Sequence, residues 1–487
     1  MSLPQSWRNI RTSYRLLASV CDCGSKSFPP KEVCKECGRN THIVHKSLVK
    51  SGKLYSYTHR IENGEHIFPC YVEIDGIILP SRLTDVEPEE IKIAMELEPT
   101  FRILGETNDG VIEYGTIFRP KTAHKELELY IPKRNSGRAG IIGYGVHIPR
   151  YRITMEEVAK SMKEDPTLLK QSTMFLEKAV LNWDQDSTTM AVDAARNALL
   201  YAGINGEEIN AIYFGSESKP YAVKASAITV GEAIGATPKV KAYDIESACK
   251  AATSAIPDAI AIVENEKFKF RNAMIIGSDN SQAREGDDLD PTSGTAAAAF
   301  IIGKKDVIAR LEGYAPYATD IPDFWRRDGE SFPKHGGRFT GEPAYFKHII
   351  GACELLFSEL GIEGKDIDHA VFHMPTGKFP FKAAKRLGIE EEKLKYGFNA
   401  PYIGNSYSAC GLVGLASVLD YAGDNETILL AQYGSGAGAD ALLFITEQAI
   451  LEKRPRGIKV ETLLNDKKYI DFHTYRKRKI SHFYKEF

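Results

Sequence analysis

Two stretches of the sequence repeat each other: Gly203-Ile-Asn-Gly-Glu-Glu-Ile-Asn-Ala-Ile212 and, 158 residues further on, Gly361-Ile-Glu-Gly-Lys-Asp-Ile-Asp-His-Ala370. Ser247-Ala-Cys249 recurs as Ser408-Ala-Cys410 at an offset of 161 residues. A looser match, between Ser293–Phe300 and Ser435–Leu442, has an offset of 142 residues and requires an insertion in the first copy. The period is too long for a solenoid, so the repeat predicts two homologous halves of about 160 residues, packed face to face.

Apolar runs typical of buried strands alternate with Ala-rich helical stretches in both halves. The runs are Ala211-Ile-Tyr-Phe214, Ala273-Met-Ile-Ile276, Ala370-Val-Phe372 and Ile428-Leu-Leu-Ala431. This alternation is typical of an α/β fold with a buried sheet. We assign residues 139–305 to the first half, and residues 306–487, which end in a basic extension, to the second.

Residues 1–131 have a different pattern. Short β-rich segments, such as Lys53–Ile61 and Ile77–Leu83, are separated by turn residues and predict a small β-barrel. A helix is expected over about residues 4–17, and four cysteines lie between it and the barrel. The polar segment 132–138, which contains a Pro and a Gly, predicts a linker to the α/β part.

Composition indicates an ordinary globular protein. The 487 residues are 43% hydrophobic and 26% charged, with a net charge of −3, which excludes a disordered chain, a collagen and a coiled coil. No apolar run approaches the ~18 residues of a transmembrane helix. The N-terminus lacks an apolar signal core, so we expect a cytoplasmic protein without a membrane partner.

Charge is unevenly distributed in the first 131 residues. Residues 1–60 contain eleven Lys/Arg and three Asp/Glu, whereas residues 61–131 contain six and fifteen. The basic start is either a solvated face or a surface for RNA or a phosphorylated ligand. The net charge of −1 over residues 1–131 argues against a nucleic-acid partner.

Four of the eight cysteines lie within seventeen residues and predict a metal site. Cys34-Lys-Glu-Cys-Gly38 has the spacing of a zinc knuckle. The other pair, Cys21 and Cys23, is one residue too close, so that it either ligates with strain or belongs to a degraded site. In a chain without a signal peptide, a disulfide framework is not expected.

The Ser-Ala-Cys motif of each half precedes a helical stretch. A cysteine at a helix N-terminus feels the positive end of the dipole, which lowers its pKa and favours a nucleophilic thiolate. We expect Cys249 to be a nucleophile and Cys410 to be a small buried residue. Glu217 and His373 follow apolar strands, where α/β sheets present functional groups. The alternatives are a solvated carboxylate for Glu217 and a structural hydrogen bond for His373.

Two glycine-rich segments, Gly336–Gly341 and Gly434–Gly438, permit close backbone approach to a ligand. Arg338 and Lys378 are candidates to hold the phosphates of a long ligand, although lone basic residues are more often surface charges.

With these motifs, residues 139–487 resemble archaeal-type hydroxymethylglutaryl-CoA synthases of the thiolase superfamily. The resemblance includes the stretches Ile141–Ile153, Pro322-Asp-Phe-Trp-Arg-Arg327, His335–Tyr345 and Asn465–Asp471. Residues 1–131 resemble the separate zinc-ribbon and OB-fold protein, of the DUF35 type, that associates with archaeal thiolase and this synthase. The resemblance implies a thiolase-like fold of two α/β halves, layered αβαβα, fused to a zinc ribbon and an OB-type barrel.

The resemblance also implies a role for individual residues. Cys249 corresponds to the acyl-carrying cysteine, Glu217 to the general base, and His373 to the histidine that handles the acetoacetyl group. The remaining implied positions bind substrate (Asn405, Ser435, Thr292, Thr340), coenzyme A (Arg338, Lys378) or a structural Zn²⁺ (Cys21, Cys23, Cys34, Cys37).

The implied reaction condenses acetyl-CoA with acetoacetyl-CoA for mevalonate and isoprenoid synthesis. The implied partners are an acetoacetyl-CoA thiolase and further copies of the chain in a homodimer or larger homo-oligomer. His373-Met-Pro-Thr-Gly377 departs from the family's usual His-Gln-Pro-Asn-Gly. A thiolase or ketoacyl-synthase-like condensing enzyme with another acyl substrate is therefore the alternative function.

Overall fold

The computed structural model describes residues 3–38, 43–62, 64–107, 109–122, 135–281 and 283–483. It has two compact units, Met1–Glu126 and Leu127–Phe487. Residues 132–134 of the predicted linker lie outside the described residues, and residues 135–138 are the start of a strand.

The first unit begins with the predicted helix, α1 (Leu3–Arg15), which packs on the barrel strand β9. Its strands are β1 (Leu17–Cys21), β2 (Lys26–Ser27), β3 (Ile43–Ser47), β4 (Gly52–Tyr57), β5 (Arg60–Glu62), β6 (Glu65–Ile74), β7 (Ile77–Leu83), β8 (Glu96–Glu106) and β9 (Ile112–Pro120). β2, β1 and β3 form a separate antiparallel sheet next to the cysteine cluster.

Five strands of the first unit close into a barrel, in the order β4-β6-β7-β9-β8 and back to β4. Every neighbouring pair is antiparallel except β7 and β9. Apolar side chains at alternate strand positions fill the interior, among them Leu54, Val72, Leu79 and Phe118. The small β-barrel predicted from the sequence is confirmed.

The strands of the second unit are β10 (Asn135–His147), β11 (Tyr151–Thr154), β12 (Glu177–Val180), β13 (Ile209–Gly215), β14 (Lys241–Ile245), β15 (Asn272–Asn280), β16 (Thr295–Lys305), β17 (Ala309–Tyr317), β18 (Phe324–Trp325), β19 (Lys334–His335), β20 (His369–Phe372), β21 (Thr427–Gly434), β22 (Gly438–Thr446) and β23 (Lys468–Tyr469). The four predicted apolar runs lie in β13, β15, β20 and β21.

Its α-helices are α2 (Met155–Met162), α3 (Pro166–Thr173), α4 (Ser187–Ala202), α5 (Ser226–Ile234), α6 (Ala255–Glu264), α7 (Phe346–Leu360), α8 (Lys378–Arg386), α9 (Ala400–Ile403), α10 (Cys410–Leu419), α11 (Ala449–Lys453), α12 (Val460–Asn465) and α13 (Phe472–Phe483). None of the helices within the described ranges combines the length and the apolar character needed to cross a bilayer.

The main sheet is duplicated about β10 and β17, which meet at one residue pair, Ile141 with Ala309. On one side β16 is antiparallel to β10, β15 is antiparallel to β16, and β13 is parallel to β15. On the other side β22, β21 and β20 follow β17 with the same directions, and β14 extends only the first side. The repeated stretches lead into β13 and β20, which therefore occupy equivalent places.

The repeated glycines begin these stretches for a conformational reason. Gly203 and Gly361 end α4 and α7 in the left-handed conformation, with φ of 72° and 66°, which glycine adopts at low cost.

Helix α10 lies between the two halves. All ten of its residues are buried, and it contacts β10 and β16 of the first half as well as β20 and β21 of the second. A helix that is apolar on every side is stable only when it is surrounded by protein. The outer helix of the first half, α4, packs on β10, β15 and β16, and α7 packs equivalently on β17, β21 and β22.

Candidate active site

The structure brings Cys249 and Glu217 together. Cys249 lies in the turn between β14 and α6, directly after Ala248, whose φ of 49° is unusual for a residue with a side chain. Its thiol donates a hydrogen bond to Glu217 Oε1 at 3.0 Å and is 5% exposed. Glu217 follows β13 by two residues, as expected for a functional group at a strand end. The predicted nucleophile and the predicted base are thus in direct contact.

The pKa of Cys249 moves in the opposite direction from the sequence-based expectation. Burial, and then the neighbouring Glu217 carboxylate, raise it well above its ordinary value. Helix α6 begins only at Ala255, so its dipole is too remote to oppose these effects. Burial and Asp279 likewise raise the pKa of Glu217. Both groups therefore hold their protons more tightly than usual, and the thiol of Cys249 donates to the Glu217 side chain.

Cys410 differs from Cys249 in its local backbone structure. It is the first residue of α10, it is 2% exposed, and burial raises its pKa to about 12. In this copy of the motif the left-handed residue is Tyr407, with φ of 48°, and not Ala409. Burial is shared with Cys249, but of the described cysteine thiols only that of Cys249 contacts Glu217, so Cys410 lacks the group expected to activate a nucleophile.

Asp279, which the sequence reasoning missed, organises the loop that carries Glu217. The fully buried Oδ1 accepts hydrogen bonds from the backbone N–H groups of Glu217 and Ser218, at 2.8 and 3.0 Å, and from the hydroxyls of Ser216 and Ser218, at 2.9 and 2.7 Å. Its Oδ2 accepts from the backbone N–H of Ser408 in the second half at 2.9 Å. Asp279 lies at the end of β15, so the rule that identified Glu217 applies to it as well.

His373 follows β20 directly and is 1% exposed. Its backbone is fixed on both sides, since its N–H donates to Ala431 O at 2.8 Å and its carbonyl accepts from Tyr345 Oη at 2.7 Å. The ring Nδ1 is buried and has no hydrogen-bond partner among the described residues. Burial lowers the pKa of His373 to about 3, so the imidazole is neutral, with one donor and one acceptor nitrogen.

The two glycine-rich segments are joined by Asp323, a second residue that sequence reasoning did not single out. Its carboxylate accepts from Tyr433 Oη at 2.8 Å and from the backbone N–H of Gly436 at 2.6 Å, next to Ser435. Its carbonyl accepts from Thr340 Oγ1 at 3.0 Å. Ser435 and Thr340 are thereby held around the same buried residue.

Asn405 is linked to Cys249 by a chain of hydrogen bonds. Its N–H donates to Thr292 O at 2.7 Å, and its side-chain oxygen accepts from the N–H of Tyr407 at 3.0 Å. Gln432 Nε2 then donates both to Tyr407 O, at 3.1 Å, and to Cys249 O, at 2.7 Å. The hydroxyl of Thr292 donates to Leu289 O at 3.2 Å.

Arg338 and Lys378 are exposed, and Lys378 is the first residue of α8. Both side chains are accessible to an anionic ligand, but within the described part of the chain no contact connects them to the Cys249–Glu217 pair.

The four N-terminal cysteines form a candidate metal centre in the first unit. Their Sγ atoms lie within 4.8 Å of one another, and Cys21–Cys37 and Cys23–Cys34 are each separated by 3.6 Å. Tetrahedral zinc, with Zn–S of about 2.3 Å, separates its sulfur ligands by about 3.8 Å. The short pair still converges because Gly24, with φ of 89°, closes the turn back onto Cys21 O. The residues therefore fit a four-thiolate site.

Comparisons with known proteins agree with this geometry. No protein-family model matches the chain. The chain is 48% identical over 339 residues to the hydroxymethylglutaryl-CoA synthase of Methanocaldococcus jannaschii. The aligned region covers 70% of this chain and 98% of that protein. It is 46% identical over 344 residues to the synthase of Methanopyrus kandleri, with 71% and 98% covered.

Two solved structures share the fold. A hydroxymethylglutaryl-CoA synthase complexed with CoA superposes with a TM-score of 0.64 at 24% identity, covering 70% of this chain and 90% of that one. The 3-oxoacyl-[acyl-carrier-protein] synthase III of Aquifex aeolicus has a TM-score of 0.58 at 20% identity, covering 63% and 99%.

The thiolase-like fold, in a chain nearly half identical to known acyl-condensing enzymes, defines an acyltransferase. The extent of identity is more specific: the chain belongs to the hydroxymethylglutaryl-CoA synthase family.

The role of Asp279 is testable through the pH dependence of activity. As the predicted base, Glu217 can accept a proton only when it is ionised, so we expect activity to fall as the pH drops through its pKa. Asp279→Asn removes a charge that raises this pKa, and we expect the acid limb of kcat/KM to move to lower pH. We also expect kcat to fall about a hundredfold as the Glu217 loop shifts. Asp424→Asn, at an exposed position, is the control. An acid limb that is unmoved, or moved upward, contradicts this role.

Proposed function

We propose that the protein condenses acetyl-CoA, acetoacetyl-CoA and water to 3-hydroxy-3-methylglutaryl-CoA and free CoA, supplying mevalonate and isoprenoid synthesis. The observation that carries the proposal is the 3.0 Å contact between the Cys249 thiol and the Glu217 carboxylate, in a chain of this family. The lack of a contact between Cys410 and Glu217 among the described residues favours a synthase over a thiolase, which needs a second active-site cysteine.

The reaction begins with acyl transfer. Cys249 attacks the thioester of acetyl-CoA, its proton leaves on the departing CoA thiol, and acetyl-Cys249 forms. Glu217 then has no thiol partner and faces the acetyl methyl group. Since burial raises its pKa, it is a stronger base than an exposed carboxylate.

The carbon–carbon bond forms in the second step. Glu217 removes a proton from the acetyl methyl, and the resulting enolate attacks the ketone of acetoacetyl-CoA. The neutral His373 donates a hydrogen bond to the developing alkoxide, which is the type of electrostatic stabilisation that contributes most to such reactions. The proton that Glu217 removed is passed to the alkoxide, which becomes the 3-hydroxyl, and Glu217 is again ionised. Water then cleaves the thioester at Cys249, which releases the product carboxylate and a proton and restores the thiol.

Substrate contacts are assigned to the residues around this pair. We assign the acyl groups to Asn405, Ser435, Thr292 and Thr340, and the phosphates of coenzyme A to the exposed Arg338 and Lys378. We also propose that the second part of the chain has the αβαβα layering. Its halves would be residues 139–305 and 306–487, after the linker predicted at 132–138. The position of α10 between the two halves of the main sheet supports this layering.

For residues 1–131 we propose a DUF35-type zinc ribbon and an OB fold. The order of the barrel strands supports the OB assignment. In chain order the five strands are β4, β6, β7, β8 and β9. The first, β4, pairs with β6 and β8, and the third, β7, pairs in parallel with the fifth, β9. Cys21, Cys23, Cys34 and Cys37 would hold a structural Zn²⁺, whose role is to fold the ribbon and not to react.

This first unit is proposed to dock an acetoacetyl-CoA thiolase. Tyr55, Tyr57, Tyr71 and Ile78 are exposed on the three neighbouring strands β4, β6 and β7. Exposed aromatic side chains are typical of protein interfaces. A homodimer or larger homo-oligomer is proposed for the second unit, because β14 forms an edge of the main sheet where a further strand can pair.

Cysteine substitution tests the assignment of the nucleophile. Cys249→Ala should abolish both the acetylation of the protein by acetyl-CoA and product formation, because no other thiol contacts Glu217. Cys410→Ala, the matched control from the second Ser-Ala-Cys, should retain most of the activity. Mass spectrometry of the acetylated protein locates the label, and acetyl found on Cys410 would show that the halves are wrongly assigned.

Glu217→Gln should separate the two chemical steps. The amide oxygen still accepts from the Cys249 thiol, and loss of the carboxylate removes one cause of the raised pKa of Cys249. We therefore expect acetylation to persist, while condensation falls by at least about a thousandfold for lack of a base. Stoichiometric acetylation and product formation are measured separately. A folded but unacetylated variant contradicts this division of labour.

Docking and the metal are tested together. The full chain should co-purify with a thiolase from the native cell and contain about one zinc per chain, and a chain without residues 1–131 should lose both. Cys34→Ser should lose zinc, as measured by elemental analysis. Equal thiolase recovery by the truncated chain excludes docking through the first unit, and thiolase recovery by zinc-free Cys34→Ser excludes only the metal's part in it.

A further inference from the structure

Helix α13 carries a basic run, Arg476-Lys-Arg-Lys479, that the proposed reaction does not use. Two residues of the run pair with the acidic loop 285–290. Arg476 Nε lies 3.1 Å from Glu285 Oε2 in an exposed pair, which contributes little to stability. Lys479 Nζ donates to Asp290 Oδ1 at 2.7 Å in a buried pair. The helix therefore holds the loop mainly through Asp290.

Asp290 is the centre of a buried polar cluster. Its carboxylate, 1% exposed, accepts from Lys479, from Lys178 Nζ on β12 at 3.1 Å, and from Tyr475 Oη at 2.7 Å. Burial would raise the pKa of Asp290, but the two lysines lower it to about 2. Asp290 compensates two lysines: Lys178 holds it from β12, whereas Lys479 and Tyr475 hold it from α13. Without Lys479 the Lys178–Asp290 pair stays compensated, but the buried ionic contact between α13 and the loop is lost.

The cluster fixes the segment that leads to Asn405. Ser293 Oγ donates to Asp290 O at 3.0 Å, and Lys178 Nζ donates to Ser293 Oγ at 3.3 Å. The next residue, Gly294, donates its N–H to Asn405 O at 2.9 Å. The two backbones are so close that a Cβ at Gly294 would collide with Ile403 O.

The same loop also contacts the segment that carries Arg338. His335 Nε2 donates to Asp287 Oδ1 at 3.1 Å, while its Nδ1 accepts from the N–H of Gly337, also at 3.1 Å. The acidic loop thus lies between α13 and two segments of the active site.

We propose that α13 is a strap that positions the acyl-binding side of the active site by holding Asp290. Lys479, Tyr475, Lys178 and Asp290 are then positioning residues for Thr292 and Asn405. This inference rests on the substrate-binding roles proposed above for Thr292 and Asn405.

The test compares two charge-removing variants of α13 in the full chain. Lys479→Met removes the buried ionic contact between α13 and Asp290 but leaves the Lys178–Asp290 pair, and it should raise KM for acetoacetyl-CoA about tenfold, as misplaced binding groups do. Acetylation of Cys249 by acetyl-CoA alone should stay within about twofold, since the Cys249–Glu217 contact is outside the cluster. Arg476→Met removes the same charge but only an exposed pair, and should leave KM unchanged. Lys479→Arg, which keeps the positive charge, should have a KM for acetoacetyl-CoA close to that of the unsubstituted protein.

Tyr475→Phe removes only a hydroxyl and keeps the test informative if Lys479→Met does not fold; its KM should rise about threefold. The strap proposal is overturned if Tyr475→Phe, and Lys479→Met where it folds, both have a KM for acetoacetyl-CoA within twofold of that of the unsubstituted protein. Asn405→Ala distinguishes the two proposals. An unchanged KM in Asn405→Ala, together with a raised KM in Lys479→Met, removes the substrate-binding role of Asn405 and retains the strap.

Discussion

The buried carboxylate of Asp279 accepts hydrogen bonds from both halves of the duplicated fold. Three consecutive residues of the first half, 216–218, and Ser408 of the second half donate to it. A buried carboxylate is costly unless its oxygens are hydrogen-bonded, so the halves must meet in the register that supplies all of these donors. The same hydrogen bonds hold the loop from which Glu217 contacts Cys249. The negative charge of Asp279 also raises the pKa of Glu217, so one group affects both the position and the basicity of the predicted base.

The duplication explains how a symmetric scaffold forms an asymmetric site. β13 and β20 occupy equivalent places, and the polar residues that follow them are Glu217 and His373. Their surroundings have opposite electrostatic effects. Glu217 faces a second carboxylate and gains basicity, whereas His373 is isolated from charge and loses it. A condensation needs these two properties at once, because a proton is removed from one reactant while a neutral donor stabilises the oxygen of the other.

The features that depend on local sequence could be predicted. The repeated glycines mark the ends of α4 and α7, the apolar runs mark the strands, and the residues after the strands include Glu217. Features that depend on tertiary burial could not. The pKa of Cys249 was expected to be low because a helix follows it, but desolvation and Glu217 raise it instead. Asp290 meets partners 112 and 189 residues away, and no periodicity or motif connects positions so distant in sequence.

Fusion of the first unit to the synthase has a physical consequence. The Methanocaldococcus jannaschii synthase is covered over 98% of its length by only 70% of this chain, so this protein carries a large additional part. A separate docking protein binds its synthase only as often as their concentrations and affinity allow, whereas a covalent linker holds the two at an effective concentration of roughly millimolar. The thiolase reaction that forms acetoacetyl-CoA is uphill and advances only as its product is consumed. In the docking proposed above, a unit that cannot dissociate from the synthase leaves binding of the thiolase as the one association step. The pull on the unfavourable step then depends on the amount of thiolase and on its affinity, but not on the amount of a separate docking protein.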